Sequence, residues 1–158
     1  CSLRRFSASS CCPHTGPAMT ENKQGLHFAW YTGARSSGSF YAGTTDNGNT
    51  FINRDNITQQ GSHPQLASLN NERIAIVWDE SVQKDNAYKK RIGMQLRTPG
   101  GERLLKDYIT PDSLYATYPV IYGTKDNAAA MAFCVRKGNK NYIAYQRVSF
   151  IASQDHSY

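Results

Sequence analysis

The side chains with the most chemistry in this sequence stand in short groups, beside prolines or at the ends of apolar runs. "CCPH" spans 11–14, "HP" 63–64, "WDE" 78–80 and "YP" 118–119, with Arg35 and Arg136 close behind two other apolar runs. Histidines, carboxylates, a tyrosine and arginines brought to one place can bind an anionic sugar or serve as acid and base. Each group also has a plainer use: His-Pro is a common loop pair, and "WDE" can cap a strand with solvated charge. In "CCPH", Cys11, Cys12 and His14 are close enough to ligate a metal, but the spacing is not that of a zinc knuckle and no second half follows. With Cys1 and Cys134 the cysteines number four, which leaves disulfides in three full pairings, metal ligation and free thiols all open. Adjacent Cys11 and Cys12 rarely bond to each other, because the geometry strains the peptide between them. Cys134, inside the apolar run "AAAMAFCV" at 128–135, reads as a core residue.

Whether such scattered groups meet depends on the elements that carry them, and the chain repeats itself. "GPAMTENKQGLHFAWYT" (16–32), "HPQLASLNNERIAIVWDE" (63–80) and "YPVIYGTKDNAAAMAFCV" (118–135) superpose. Each opens on a proline, Pro17, Pro64 or Pro119, and runs a short apolar strand into a polar turn. A second apolar strand follows, with an aromatic 13 or 14 places after the proline: Trp30, Trp78 and Phe133. The prolines are 47 and 55 residues apart, which exceeds one hairpin and suits four short strands with their turns. Connectors rich in Gly, Asn and Lys separate strands rich in Tyr, Ile, Val and Phe, and no helical period persists. Repeats of this length and strand number predict β-propeller blades, at approximately 14–60, 61–112 and 113–158. A proline at the start of the first strand suits this, since no interior ladder bond is lost there.

Composition narrows the function classes. With 158 residues, 39% hydrophobic content and a mean hydropathy of −0.60, the chain has the length of one ordinary domain. No apolar run approaches the ~18 residues a membrane span needs. The net charge of +6 is dispersed, with Lys89-Lys90-Arg91 the longest basic cluster, so nothing resembles the basic stripe of a nucleic-acid-binding protein. No cofactor is implied. The chain starts at Cys1 without a signal-peptide pattern, and is expected to be a processed product or a piece of something longer.

One octet is more specific. Residues 44–51, "TTDNGNTF", fall between two expected strands. A short acid such as Asp46 can accept the backbone N–H groups that a tight hairpin leaves without partners. Gly48 supplies a positive φ, Phe51 an aromatic to bury, and Thr44 and Thr50 hydroxyls to close the turn. Folding accounts for every position, so Asp46 is expected to be structural. Thr44, Asp46, Gly48, Thr50 and Phe51 together resemble the Asp-box, S/T-x-D-x-G-x-T-W/F, of the repeats in sialidase-like β-propellers. The resemblance covers essentially the whole chain, although only the first unit carries an intact box. "MQLRTPGGERL" (94–104) aligns without gaps to "YAGTTDNGNTF" (41–51), keeping Gly101 for Gly48 and losing the acid and the aromatic.

The resemblance implies an all-β chain of about three four-stranded antiparallel blades of an incomplete, sialidase-like propeller, six-bladed when complete. Three blades cannot close a ring and leave two open sheet edges, so the missing blades are expected from a longer chain or another subunit. An extracytoplasmic, glycan-handling protein is implied, possible exo-sialidase chemistry included: an arginine triad for the substrate carboxylate, a tyrosine nucleophile with a glutamate, and an aspartate acid/base. The early F/Y-R-I-P motif of that family is absent, and no catalytic residue maps onto this sequence. A non-catalytic scaffold that binds a ligand or a protein is the alternative. Strand parity puts the octet at one end of its blade and the ligand side at the other, near the axis. The expected ligand-facing residues there are His14, His63 and Tyr118 ahead of the innermost strands, and Arg35, Asp79, Glu80 and Arg136 after the second strands, beside Thr32.

Overall fold

The computed structural model describes residues 16–33, 36–84 and 86–150. Eleven strands make three antiparallel sheets, and no helix occurs among the described residues. The first sheet orders β1 (Ala18–Asn22), β2 (Gly25–Thr32), β3 (Gly38–Thr44) and β4 (Ile52–Thr58) from one edge to the other. The second does the same with β5 (Gly61–Ser68), β6 (Ile74–Lys84), β7 (Ala87–Arg97) and β8 (Arg103–Tyr108). The third holds β9 (Tyr115–Gly123), β10 (Ala128–Lys137) and β11 (Lys140–Ser149), so three strands of the expected four lie among the described residues. These are three blades of an incomplete β-propeller: sequence-ordered meanders stacked face to face, with β1, β5 and β9 side by side.

The repeated proline-to-aromatic spacing is a cross-strand pair. Gln65 pairs Val77, Val120 pairs Ala132 and Ala18 pairs Ala29. One step outward along each ladder, Pro64, Pro119 and Pro17 lie across from Trp78, Phe133 and Trp30. In the second and third blades the register then shifts, because Ser62 pairs Asp79 and Thr117 pairs Cys134. The extra residue in each bulge is the one before proline, His63 or Tyr118. A bulge re-aims the side chain it inserts, and both side chains turn toward the inner mouth of the blades.

The middle blade is buried on both faces, which explains why β6 is covered at seven consecutive positions, 74–80, where a half-exposed strand would alternate. Ile74, Ile76 and Trp78 pack on Ala29, Tyr41 and Ile57 of the first blade. Ala75 and Val77 pack the other way, with Leu96 and Met94, against Ala129 and Met131 of the third. The Trp78 indole fits because Gly93 lies opposite it; a Cβ there would come within 2.4 Å of the ring.

The two outermost faces have the composition of the inner ones. Ile121 and Ala144 face the second blade, so Val120, Tyr122, Ile143 and Tyr145 line the opposite face of the third, where Tyr122 and Ile143 are 72% and 73% exposed. Ala130, Ala132 and Cys134 share that face by strand parity, and Cys134 is accordingly a half-buried free thiol and not the core residue expected. On the first blade the corresponding outer face carries Met19, with Trp30 stacked on Phe40.

Candidate functional site at the inner mouth

His63, Asp79 and Tyr118 come together although 16 and 39 residues separate the two outer ones from Asp79. Asp79 is the anchor, fully buried beneath the other two. Its Oδ2 accepts the His63 Nδ1–H at 2.6 Å and the Tyr118 backbone N–H at 2.9 Å. Its Oδ1 accepts from Ser62 Oγ and Lys90 Nζ, both at 2.7 Å, and Lys90 also donates to Ser62 Oγ at 3.2 Å. Burial alone would push the carboxyl up; the bonds from His63, Lys90, Tyr118 and Ser62 outweigh it and hold the group at about 2. Asp79 is therefore an ionised acceptor with every lone-pair direction used.

Above this anchor the His63 and Tyr118 rings meet with centroids 4.4 Å apart. Both residues hold a positive φ, 52° and 53°, a conformation that costs a side-chain-bearing residue and collects at ligand sites. An open pocket of about 230 Å³ lies here, lined by Gly16, 63–65 and 118–120. Gly16, His63 and Tyr118 are the residues before the three repeated prolines, so equivalent positions of three blades share one pocket.

The other expected residues divide. Glu80 follows Asp79 but points to the opposite face of the second blade, where it accepts from Trp78 Nε1 at 2.9 Å, Thr58 Oγ1 at 3.1 Å and Arg91 Nη2 at 2.7 Å. Burial pushes its carboxyl up, and these bonds bring it below the usual range. Arg91 also holds Asp112 at 2.9 Å and lies over the Tyr108 ring. Arg136 is exposed near the end of β10, with Nε donating to Gly138 O at 3.3 Å, and is not among the pocket-lining residues. His14, Arg35, Cys11 and Cys12 lie outside the described residues, among which no cluster of metal-ligating side chains occurs. Ser62 and Lys90 complete the anchor, and sequence reasoning missed both. The Ser62 position beside His63 was a usable signal; Lys90, within a run of basic residues, carried none.

The octet lies at the opposite end, between β3 and β4. Asp46 Oδ1 accepts the Thr50 N–H and the Thr44 hydroxyl, both at 2.8 Å, and Oδ2 accepts the Thr50 hydroxyl at 2.7 Å. The Thr50 backbone and hydroxyl bonds are the main reason the carboxyl stands at about 2. Gly48 has φ 88°, and its N–H donates to Thr44 Oγ1 at 2.9 Å. Phe51 is half-buried, edge-on to Phe28. Among the described residues, every side-chain bond of this carboxylate stays within the turn.

No protein-family model matches this sequence, and no curated protein matches it. The fold is similar to solved structures of enzymes. One is a polysaccharide lyase, the PL25 ulvan lyase bound to -[GlcA(1-4)Rha3S]-, with TM-score 0.59 and 13% identity over 83% of this chain and 40% of that one. A second is the Bombyx mori GH32 β-fructofuranosidase, with TM-score 0.56 and 12% identity over 84% of this chain and 32% of that one. A third is a Leishmania mexicana mannose phosphorylase in complex with phosphate ion, with TM-score 0.53 and 12% identity over 85% of this chain and 42% of that one. At these identities the likeness is one of fold. The chain spans less than half the length of each.

Proposed function

We propose that this chain is part of a glycan-handling β-propeller and that the mouth pocket beside His63 and Tyr118 is its sugar-facing surface. The observation that carries the reading is the convergence of Gly16, His63 and Tyr118 on one pocket. An exposed aromatic face, an imidazole and the Gln65 amide form a set suited to a sugar ring, which is apolar on its faces and polar at its edges. The similar folds belong to enzymes whose names place their substrates among carbohydrates. The open outer faces of the first and third blades fit further blades of the same kind, because the inner faces they resemble are covered in that way. On this reading the protein works outside the cytoplasm, where its glycans are.

Exo-sialidase chemistry is the finer form of this reading, and the described residues favour a binding contribution to it. Asp79 and Glu80 have their acceptor capacity filled, and no arginine lines the pocket among the described residues. A pair of working carboxylates and the arginines for an anionic sugar would then come from other blades. The filled carboxylates equally favour the second reading, a non-catalytic propeller that binds its ligand here. Titration calorimetry with oligosaccharides ending in sialic acid, glucuronate, fructose or mannose tests the common core. Binding that Tyr118→Ala abolishes is expected, with hydrolysis of the same sugar marking the enzyme. Binding indifferent to that substitution would end the assignment of the pocket.

A further inference from the structure

We propose that His63 is the pocket's hydrogen-bond acceptor for a sugar hydroxyl, offered through Nε2 and held in that tautomer by Asp79. This rests on the glycan reading for its ligand and on geometry for the rest. Asp79 Oδ2 can only accept, so the proton between it and His63 belongs to Nδ1. In the neutral ring the Nε2 lone pair then lies across the imidazole, directed away from the buried carboxylate. Among the described residues Nε2 has no partner. His27, the other described histidine, is the internal contrast. It is buried, with Nδ1 bonded to Tyr41 Oη at 2.7 Å and Nε2 to Asn22 Oδ1 at 3.0 Å.

The anchor beneath His63 is more elaborate than packing needs. Ser62 and Lys90 occupy Oδ1 and leave Oδ2 to the imidazole and the Tyr118 N–H. Asp79 thus sets the ring that accepts and the bulge that presents the Tyr118 ring, making it a positioning residue for both. The positive φ of His63 and Tyr118 is maintained by the same carboxylate. A ligand hydroxyl would donate to Nε2 while the sugar face rests on Tyr118, and the charge balance of Lys90 and Asp79 beneath would be unchanged.

Two measurements on the intact chain test this. Nitrogen-15 NMR of the imidazoles should show His63 with its proton on Nδ1 and His27 with its proton on Nε2. Diethyl pyrocarbonate, which acylates a free imidazole lone pair, should modify His63 at least tenfold faster than His27. A proton on Nε2 of His63, or equal rates, would overturn the proposal. A bound saccharide from the panel above should slow the His63 reaction about tenfold. His63→Phe, which keeps a ring against Tyr118, should weaken that saccharide about tenfold, the effect of one lost hydrogen bond. Binding that leaves both values unchanged would overturn this inference while preserving the functional reading. Failure of every saccharide to bind would overturn the functional reading and this ligand with it.

Discussion

The turns that join the third and fourth strands of the first two blades share a glycine of positive φ and are held in different ways. In the first, Asp46 and two threonines tie the chain to itself within seven residues, 44–50. In the second, Gly101 keeps the positive φ of Gly48, 94° against 88°, but the aligned positions hold Arg97, Pro99 and Arg103 where the first has Thr44, Asp46 and Thr50. Arg97 takes over. Its guanidinium is buried, donates to Gly101 O at 2.9 Å and Gln95 Oε1 at 2.7 Å, and crosses to Asp55 Oδ2 of the first blade at 2.9 Å. It lies 3.9 Å from the centroid of the Tyr41 ring, whose hydroxyl donates to His27. Asn53 and Asn22 add bonds to Gly100 O and Pro99 O. One turn is held by its own side chains alone; the other, closed locally by Thr98 Oγ1 accepting the Glu102 N–H at 3.0 Å, is also tied through Arg97, Asn53 and Asn22 to the neighbouring blade.

The largest break in that comparison should be Arg97→Ala. It strands Gly101 O and Gln95 and removes the tie between blades, costing about 3 kcal/mol in denaturant unfolding; Asp55, 39% exposed, can rehydrate and keeps the figure from rising further. Arg97→Lys should recover little, since one ammonium cannot serve three acceptors in a plane. A triple change, Arg97→Thr, Pro99→Asp and Arg103→Thr, would rebuild the local box in the second blade. It should restore slow amide exchange at Gly101 and leave the stability low. Full recovery of stability would show that the tie between blades contributes nothing.

The next effect is a pH dependence on the Arg97 side alone. Burial, and secondarily the Arg97 charge, lowers His27 from 6.5 to about 4. Below pH 6.5 the unfolded chain takes up a proton that the folded chain refuses. Stability is therefore full above 6.5 and falls, by up to about 1.4 kcal/mol per pH unit, as pH drops toward 4. Urea midpoints between pH 7 and 4 should show this slope, and His27→Gln should flatten it. Asp46 and Asp79, both held at about 2, act lower. Their contribution is present above about pH 4 and is lost as pH falls through 2. Asp46→Asn should remove part of that acid limb while leaving the slope between pH 6.5 and 4 intact.

The smallest effect should be Asp46→Ala. The exposed turn can rehydrate, so hydrogen exchange should quicken at Gly48 and Thr50 and stay unchanged at Ile76 and Val77. Faster exchange in β6 would mean that the octet supports the fold beyond its own hairpin.

Much of the architecture was legible before folding because its causes are local or periodic. The octet closes within itself, so residue types and spacing were enough to read its bonds. The prolines and aromatics repeat because each pair faces across one ladder, a separation set by the length of one hairpin. That argument placed His63, Tyr118 and Asp79 at one mouth by strand parity. It treated Asp79 and Glu80 alike, because parity along a strand gives the end of the sheet and not which neighbouring blade a side chain meets. Glu80 went to the first blade and Asp79 to the third. Arg97 was invisible for the same reason: its partner Asp55 is 42 residues away, and no sequence period links a charge in one blade to an acid in the previous one.

The sequence by itself determined strands, turns and the order of blades, since backbone pairing and turn chemistry act between near neighbours. The tertiary structure alone decided which polar groups are buried with partners and which face the pocket. A buried charge survives only where groups from distant strands complete its hydrogen bonds, and that completion is a property of packed faces.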